Sequence, residues 1–361
     1  MDSIKDNLKL KKNLLITGGA GFIASNFINY WISNHPKDNI IVLDLLSYSS
    51  NINSIKSLIN KKIIKFVQGN IIDQNLVSKI LKDFAITHII NFAAETHVDR
   101  SIEDPSIFLE TNVFGTYNLL DCFKKNWEIN NKPKNWRFLH ISTDEVFGSL
   151  KFNEKPFSEV SPYKPRSPYA ASKASSDHIV RAWHETYALP TIITNCSNNF
   201  GPWQFPEKLI PLVISKALEG KKIPIYGDGL NVRDWLYVED HIEALLLVIQ
   251  KGKIGQSYCI GGYGEKTNKF IVELICSILD KKKPRSSSYS ELIEYVKDRP
   301  GHDKRYSIDS SKIKNELGWK SNYKLENSIE ETVDWYLKNF DWLKKIKANS
   351  EYGGERIGQI N

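Results

Sequence analysis

The 361 residues are 41% hydrophobic, which suffices for a large core and points to one big domain with a smaller one attached. No apolar run approaches the ~18 residues that span a bilayer, and Cys122, Cys196, Cys259 and Cys276 show no metal-ligand spacing, so neither a membrane segment nor a metal site is expected. The net charge of +7 is carried by lysines spread among acids; the densest run, Lys281-Lys-Lys-Pro-Arg, reads as a solvated loop, so nucleic acid is not an expected partner, although the balance suits an anionic nucleotide ligand.

Residues 1–12 have scattered charges and no apolar h-region, as in a short tail and unlike a signal peptide. With widely spaced, reduced thiols this gives a cytoplasmic expectation. An apolar run then ends at Thr17, and Gly18, Gly19 and Gly21 open an amphipathic stretch over 22–31. That is a strand, a tight turn and a helix. Glycines there let the backbone approach a pyrophosphate, whose charge meets the free N–H groups of the helix start. Alone the turn is a weak signal, since plain βα turns also use glycine. A second apolar run, 40–43, ends in Asp44, at the spacing where a carboxylate accepts from the adenosine ribose hydroxyls and repels a 2′-phosphate. Leu45 and Leu46 follow with no arginine to receive that phosphate, so NAD is preferred over NADP.

Further β-type runs at 63–67, 88–92, 136–142 and 191–195 alternate with helix-like spacing over 74–84, 106–128 and 167–187. Such alternation implies right-handed crossovers and an α/β fold, a Rossmann-type doubly wound parallel sheet. Thr143-Asp-Glu follows the 136–142 run, and Ser167-Pro-Tyr-Ala-Ala-Ser-Lys opens the 167–187 helix. Tyr169 and Lys173 share one helical face, where a cation favours the phenolate and makes a general base for a sugar hydroxyl. Asp144 and Glu145 equally suit a helix start, where acids meet the dipole. After about residue 200 the pattern loosens into turns at Gly201-Pro-Trp, Gly227-Asp-Gly and Arg299-Pro-Gly-His-Asp, loops suited to capping a cleft beyond the strand ends. A helix at 241–250 and a strand at 256–260 return to the sheet. The expected domains are therefore 1–200 plus 241–262, and a smaller, interleaved 201–240 plus 263–361.

Seven segments carry a more specific likeness: Thr17-Gly-Gly-Ala-Gly-Phe-Ile, Asn91-Phe-Ala-Ala-Glu-Thr-His-Val-Asp-Arg-Ser, Ile141-Ser-Thr-Asp-Glu-Val-Phe-Gly, the Tyr169 segment, Thr194-Asn-Cys-Ser-Asn-Asn-Phe-Gly-Pro, Arg233-Asp-Trp-Leu-Tyr-Val-Glu-Asp-His and Asp298-Arg-Pro-Gly-His-Asp. Over nearly its whole length the chain resembles the extended short-chain dehydrogenase/reductases, and within them the dTDP-glucose 4,6-dehydratases. The resemblance implies an NAD-dependent hydro-lyase that oxidises dTDP-glucose at C4, eliminates water across C5 and C6, and returns hydride to C6. In that scheme Tyr169, held near Lys173, deprotonates the C4 hydroxyl and Thr143 hydrogen-bonds the same oxygen. Glu145 removes the C5 proton and Asp144 protonates the departing C6 hydroxyl, opposite roles that require environments separating their pKa values. The alternative is a UDP-, CDP- or GDP-sugar 4,6-dehydratase, or a 4-epimerase, which expels no water and needs neither acid.

The resemblance further implies that Gly18, Gly21, Phe22, Ile23, Asp44, Leu45, Leu46, Ser47, Asn70, Ile71, Ala93, Ala94, Glu95, Thr96, His97, Thr111 and Asn199 join Tyr169 and Lys173 around NAD. It places His97, Thr143, Asn198, Lys208, Leu209, Pro224, Ile225, Tyr226, Arg233, Asn268, Asp298, Arg299 and His302 around the nucleotide sugar, with Arg233 gripping its pyrophosphate. Read from their own residues, His97 is a packed or solvated imidazole and Arg233 a surface cation. A homodimer built from the 106–128 and 167–187 helices is also implied, although their apolar faces equally suit packing on the sheet. So is a place in deoxysugar synthesis such as the dTDP-rhamnose pathway. Three positions depart from the family pattern: Asn70 for an aspartate, Phe147 for a common tyrosine, whose lost hydroxyl bears on substrate contact, and Ala24 for a glycine.

Overall fold

The structure is a computed structural model that describes residues 11–298 and 301–349. Its centre is a seven-stranded, wholly parallel sheet of β1 (Asn13–Thr17), β2 (Asn39–Asp44), β3 (Lys65–Gln68), β4 (His88–Asn91), β5 (Arg137–Thr143), β6 (Thr191–Cys196) and β10 (Ser257–Ile260), in the order β10-β6-β5-β4-β1-β2-β3. Helices cover both faces, so its strands are apolar on both sides. Leu14 and Ile16 enter one core and Leu15 the other; Ile40 and Val42 are likewise opposed to Ile41 and Leu43. On the first face lie α1 (Phe22–Asn34) and α7 (Val238–Lys251), and the same core continues into α6 (Leu209–Leu218), α8 (Asn268–Lys282) and α9 (Leu325–Lys338), which pack on one another and on the smaller sheets described below. On the second lie α2 (Gln74–Asp83), α4 (Thr116–Ile129) and α5 (Pro168–Tyr187).

Local chemistry sets several of these boundaries. Ser167 Oγ accepts from Ala170 N (3.1 Å) and Pro168 takes the first helical position, so α5 starts just ahead of Tyr169. The 106–128 expectation is met by one helical run, but it widens into a π-turn over Leu109–Gly115 before α4. A Cβ on Gly115 would stand 2.4 Å from Ile71 Cδ1, so glycine lets this turn lie against the β3–α2 connection.

The strand order reverses between β1 and β4, and the crevice at their carboxyl ends is where such sheets bind ligands. Thr17 Oγ1 donates to Asn91 Oδ1 (2.7 Å) across that point. After Cys196 the chain leaves the large sheet. β7 (Asn198–Phe200) runs parallel to β9 (Val232–Tyr237), which pairs antiparallel with β11 (Glu265–Thr267). β8 (Ile223–Tyr226) and β12 (Ile293–Val296) form a two-stranded sheet. Of these strands β7, which follows directly on the end of β6, lines the crevice through Asn198 and Asn199.

Candidate active site

The β1–α1 turn is shaped for a close-lying ligand. Gly18 has φ +65°, and a Cβ there would lie 2.8 Å from Ala93 Cα. Gly21 caps α1 with no side-chain hydrogen bond, leaving the first-turn N–H groups without a side-chain partner. Asp44 accepts from Ala20 N (2.9 Å), Leu46 N (2.7 Å) and Ser50 Oγ (2.8 Å). Those bonds fix the carboxylate and leave about one of its roughly four acceptor positions for a ligand. The cleft is walled further by Phe22, Ile23, Leu45, Ser47, Asn70, Ile71, Ala93, Ala94, Glu95, Thr96 and Thr111, and across from them by Asn198, Asn199 and Lys208. A glycine cradle, an open helix start and an acidic residue beyond β2 together fit a dinucleotide.

Leu46 and His97 stand outside that lining. Leu46, at φ 59°, packs on the core. His97 caps α3 (Val98–Glu103): Arg100 N donates to its Nδ1 (3.3 Å), and its Nε2 lies 3.7 Å from Glu207. Asn70 Oδ1 accepts from Ile72 N (3.0 Å), a local turn that an aspartate would make equally. Asn199 Oδ1 meets His241 Nδ1 (2.9 Å), and its amide donates to Ser197 O (2.9 Å).

At the far end of the cleft β5 stops at Thr143, whose Oγ1 accepts from Glu145 N (3.3 Å) and caps a short 3-10 turn, Asp144–Phe147. The two acids thus sit on a strand-end turn rather than at the start of a long helix. Asp144 is 1% exposed; Thr143 Oγ1 donates to its Oδ1 (3.3 Å), and Oδ2 has no hydrogen-bond partner. Burial first, then the Glu145 and Asp234 carboxyls, push Asp144 well above the ordinary carboxylate range, against the pull of Arg233. Its proton is therefore held more tightly than an ordinary carboxyl's, which suits it to act as an acid.

Tyr169 and Lys173 enter the same cleft. Lys173 Nζ donates to Ile141 O (2.8 Å) and lies 3.4 Å from His140 Nε2. The ammonium is thus anchored on the main chain of β5. Burial, then Glu145 and Cys196, raise the phenol well above its usual value, opposed by its hydrogen bond with Thr143. Burial lowers Lys173 to about 8, against the pull of Asp177 and Cys196.

The remaining candidates, Leu209, Pro224, Ile225, Tyr226, Arg233, Asn268, Asp298 and His302, also stand outside that lining, on the smaller sheets, their helices and their loops. Tyr226 Oη donates to Asp99 Oδ2 (3.4 Å) and its ring stands edge-on to His302 (6.2 Å), whose Nδ1 meets Asp298 Oδ1 (2.7 Å). Arg233 lies over the Tyr306 ring (4.5 Å) and acts electrostatically on Asp144. Asn268 opens α8, and Leu209 opens α6 while packing on the core. Ile225 is corrected: its side chain is buried in the core, because the two-residue alternation of β8 turns Ile223 and Ile225 inward and Pro224 and Tyr226 outward. Phe147 stacks on Phe157 (5.2 Å) and meets Tyr163 edge-on, and it is not among the residues that wall the cleft. Arg299 lies outside the described residues.

With this geometry in view, the chain was compared with known proteins. The GDP-mannose 4,6 dehydratase family model matches residues 15–332. A dTDP-glucose 4,6-dehydratase of Salmonella typhimurium is 49% identical over 347 residues, covering 93% of this chain and 96% of that relative. The chain belongs to the dTDP-glucose 4,6-dehydratase family. Among solved structures, that family's Bacillus anthracis member in complex with NAD has a TM-score of 0.82 at 46% identity, covering 93% of this chain and 100% of that one. A Streptomyces venezuelae dTDP-glucose 4,6-dehydratase with NAD bound has a TM-score of 0.85 at 42% identity, covering 93% and 100%.

Several cleft residues escaped the sequence reading. Cys196, Ser197, Gln204, Phe205 and Glu207 line the cleft. Cys196 and Ser197 lie in the Thr194-to-Pro202 segment that carries the family likeness, and Gln204, Phe205 and Glu207 follow the Gly201-Pro-Trp turn expected to cap the cleft. Cys196, pushed up to about 12 by burial and then Asp144, remains a neutral thiol. Asp177 was more legible, since it continues the four-residue step from Tyr169 to Lys173. Among the described residues no group of His, Cys, Asp or Glu is arranged to hold a metal ion, and no helix is long and apolar enough to cross a membrane.

Proposed function

We propose that the chain converts dTDP-glucose to dTDP-4-keto-6-deoxyglucose and water in the cleft between the large sheet and the smaller ones. Membership of its family makes it an NAD-dependent hydro-lyase. The observation that carries the residue roles is a buried Asp144, its carboxyl raised by burial and by neighbouring Glu145, in the cleft that Thr143 and Tyr169 also enter. Bound NAD supplies an acceptor for the C4 hydride, a donor toward C6, and a positive ring charge that offsets the raised phenol. Tyr169, hydrogen-bonded with Thr143, takes the proton of the C4 hydroxyl, and Lys173 adds positive charge behind it. The resulting C4 carbonyl acidifies the C5 hydrogen, which Glu145 removes. Asp144 gives its proton to the C6 hydroxyl as it leaves. An epimerase has no use for that acid.

Asn198, Lys208, Pro224, Tyr226, Arg233, Asn268, Asp298 and His302 are proposed to hold the nucleotide sugar, with Arg233 at the phosphates. The division of labour follows the expected domains: 1–200 plus 241–262 for NAD, the remainder for substrate. We also propose a homodimer. Ile107, Leu109, Phe114 and Tyr117 are exposed on the first helical run, Tyr117 meets Trp183 of α5 (5.7 Å), and exposed Tyr187 extends the patch. Size-exclusion with light scattering should give twice the 41.4 kDa chain mass. The four cysteines are free and buried, in keeping with a cytoplasmic setting.

The test is a substrate panel. With NAD and the dTDP, UDP, CDP and GDP forms of glucose, the proposal expects loss of one water, fastest with dTDP-glucose. A product of unchanged mass would overturn the dehydration, and a preference for another nucleotide would overturn the substrate.

A further inference from the structure

One turn beyond Lys173 on α5, Asp177 is buried among polar groups and does not line the cleft. Its Oδ2 accepts from Ser142 Oγ (2.9 Å), Tyr163 Oη (2.9 Å) and Asn195 Nδ2 (3.1 Å). The same Asn195 amide donates to Thr143 O (3.2 Å), the main chain of the reacting turn. Asp177 Oδ1 makes no hydrogen bond of normal geometry; its neighbour is His140 Nε2 at 3.4 Å, an ion-pair distance, and that nitrogen is 3.4 Å from Lys173 Nζ. His140 Nδ1 faces Asn91 Nδ2 (3.2 Å). With Nδ1 accepting there, Nε2 carries the hydrogen and directs it between Ser176 Oγ (3.3 Å) and Asp177.

Three donors on one oxygen favour an ionised carboxylate. Burial alone would raise Asp177, but His140, Lys173 and Ser142 hold it below the usual range. His140, lowered to about 4 by burial and then Lys173, stays neutral. The negative charge under Lys173 therefore belongs to Asp177. Other ionisable groups around it are the Cys196 thiol from β6, Tyr169 on α5, Tyr163 from the loop ahead of α5, and Asp144 and Glu145 on the turn after β5. From the π-turn side come the uncharged Thr111 and Asn112, the latter bonded to Ser172 (2.8 Å). Asp99 of α3 is turned to Tyr226.

We propose that Asp177 is a positioning residue for the reaction, its buried negative charge one turn along α5 favouring the charged form of Lys173 and its bonds tying α5 to the Thr143 turn through Ser142 and Asn195. This rests on the reading of Tyr169 and Lys173 as the reacting pair. A buried anion that only completed a polar core would affect folding and leave the pH dependence of turnover alone.

The experiment compares kcat against pH for the NAD-loaded full chain and its Asp177→Asn, Asp177→Glu and Lys173→Met variants, with thermal unfolding of each. Removing the anion disfavours the charged lysine, so the alkaline limb of Asp177→Asn should move down by roughly one pH unit. Asp177→Glu, which keeps the charge, should keep the limb in place while kcat falls. A limb unmoved in Asp177→Asn, or shifted in Asp177→Glu, overturns the inference, and either variant suffices if the other does not fold. Lys173→Met turning over like the parent would instead overturn the underlying reading of the site.

Discussion

Asp144 and Asp177 are both 1% exposed, lie on either side of the strand-end residue Thr143 and its neighbours, and are shifted in opposite directions from the ordinary carboxylate range. Asp144 has one long hydrogen bond, an unpartnered oxygen and two carboxyl neighbours, and its carboxyl is raised. Asp177 has three good donors and a cation nearby, and it is held ionised. Burial is common to both, so their partners decide which becomes an acid and which a counter-charge. One fold can thereby shift two equally buried carboxyls in opposite directions.

Replacing each aspartate by its amide should break the symmetry most visibly. Asp144→Asn removes the transferable proton, and kcat should fall by about 10²–10⁴-fold, while bound NAD still becomes reduced in a single turnover. The same substitution should raise the melting temperature, because it removes a carboxyl that ionises less readily when folded than when unfolded. Asp177→Asn should do the reverse to stability and cost about 3 kcal/mol in denaturant unfolding, since it strips the charge from a satisfied buried network.

The acid response sharpens the contrast. His88, His140 and His241 are lowered by burial to about 3, 4 and 3, so each is neutral when folded. As pH falls below the unfolded value near ~6.5, only the unfolded chain takes up those protons, and stability should drop by up to about 1.4 kcal/mol per pH unit for each. Asp177, whose folded value is depressed, adds to this loss only as pH falls through that value. Asp144 works the other way, because its folded value is raised: its stabilising share is complete below the unfolded value and is lost as pH rises. Asp144→Asn should therefore show the steeper acid decline in melts between pH 7 and 5. The smallest effect is expected far from both carboxyls. Gly18→Ala, forced to φ +65° beside Ala93, should cost about 1–2 kcal/mol and weaken NAD binding by titration, without moving either limb of the pH profile.

The NAD half was the more legible in sequence, since glycine spacing, apolar runs and Asp44 are local features that the sheet merely assembles. Helix and strand periods placed β1 to β6 and the start of α5, and Ser167-Pro announced that start directly. The substrate half was legible only through the resemblance. There short strands from 198–296 pair across long separations, and no local period shows that β7 joins β9 or that Ile225 turns inward. The acid turn falls between these cases: Thr143-Asp-Glu was visible, yet the state of Asp144 depends on Asp234 and Arg233, about ninety residues away in sequence. Likewise the Tyr169–Lys173 spacing gave the shared face but not the reach of the ammonium to Ile141.

The most direct measurement uses dTDP-glucose bearing deuterium at C4, with the product read by mass and by NMR. The account predicts loss of one water with the label recovered on the C6 methyl group, because the hydrogen taken from C4 is returned within the same cleft. A label washed into solvent, or a dehydrated product carrying none at C6, would contradict it.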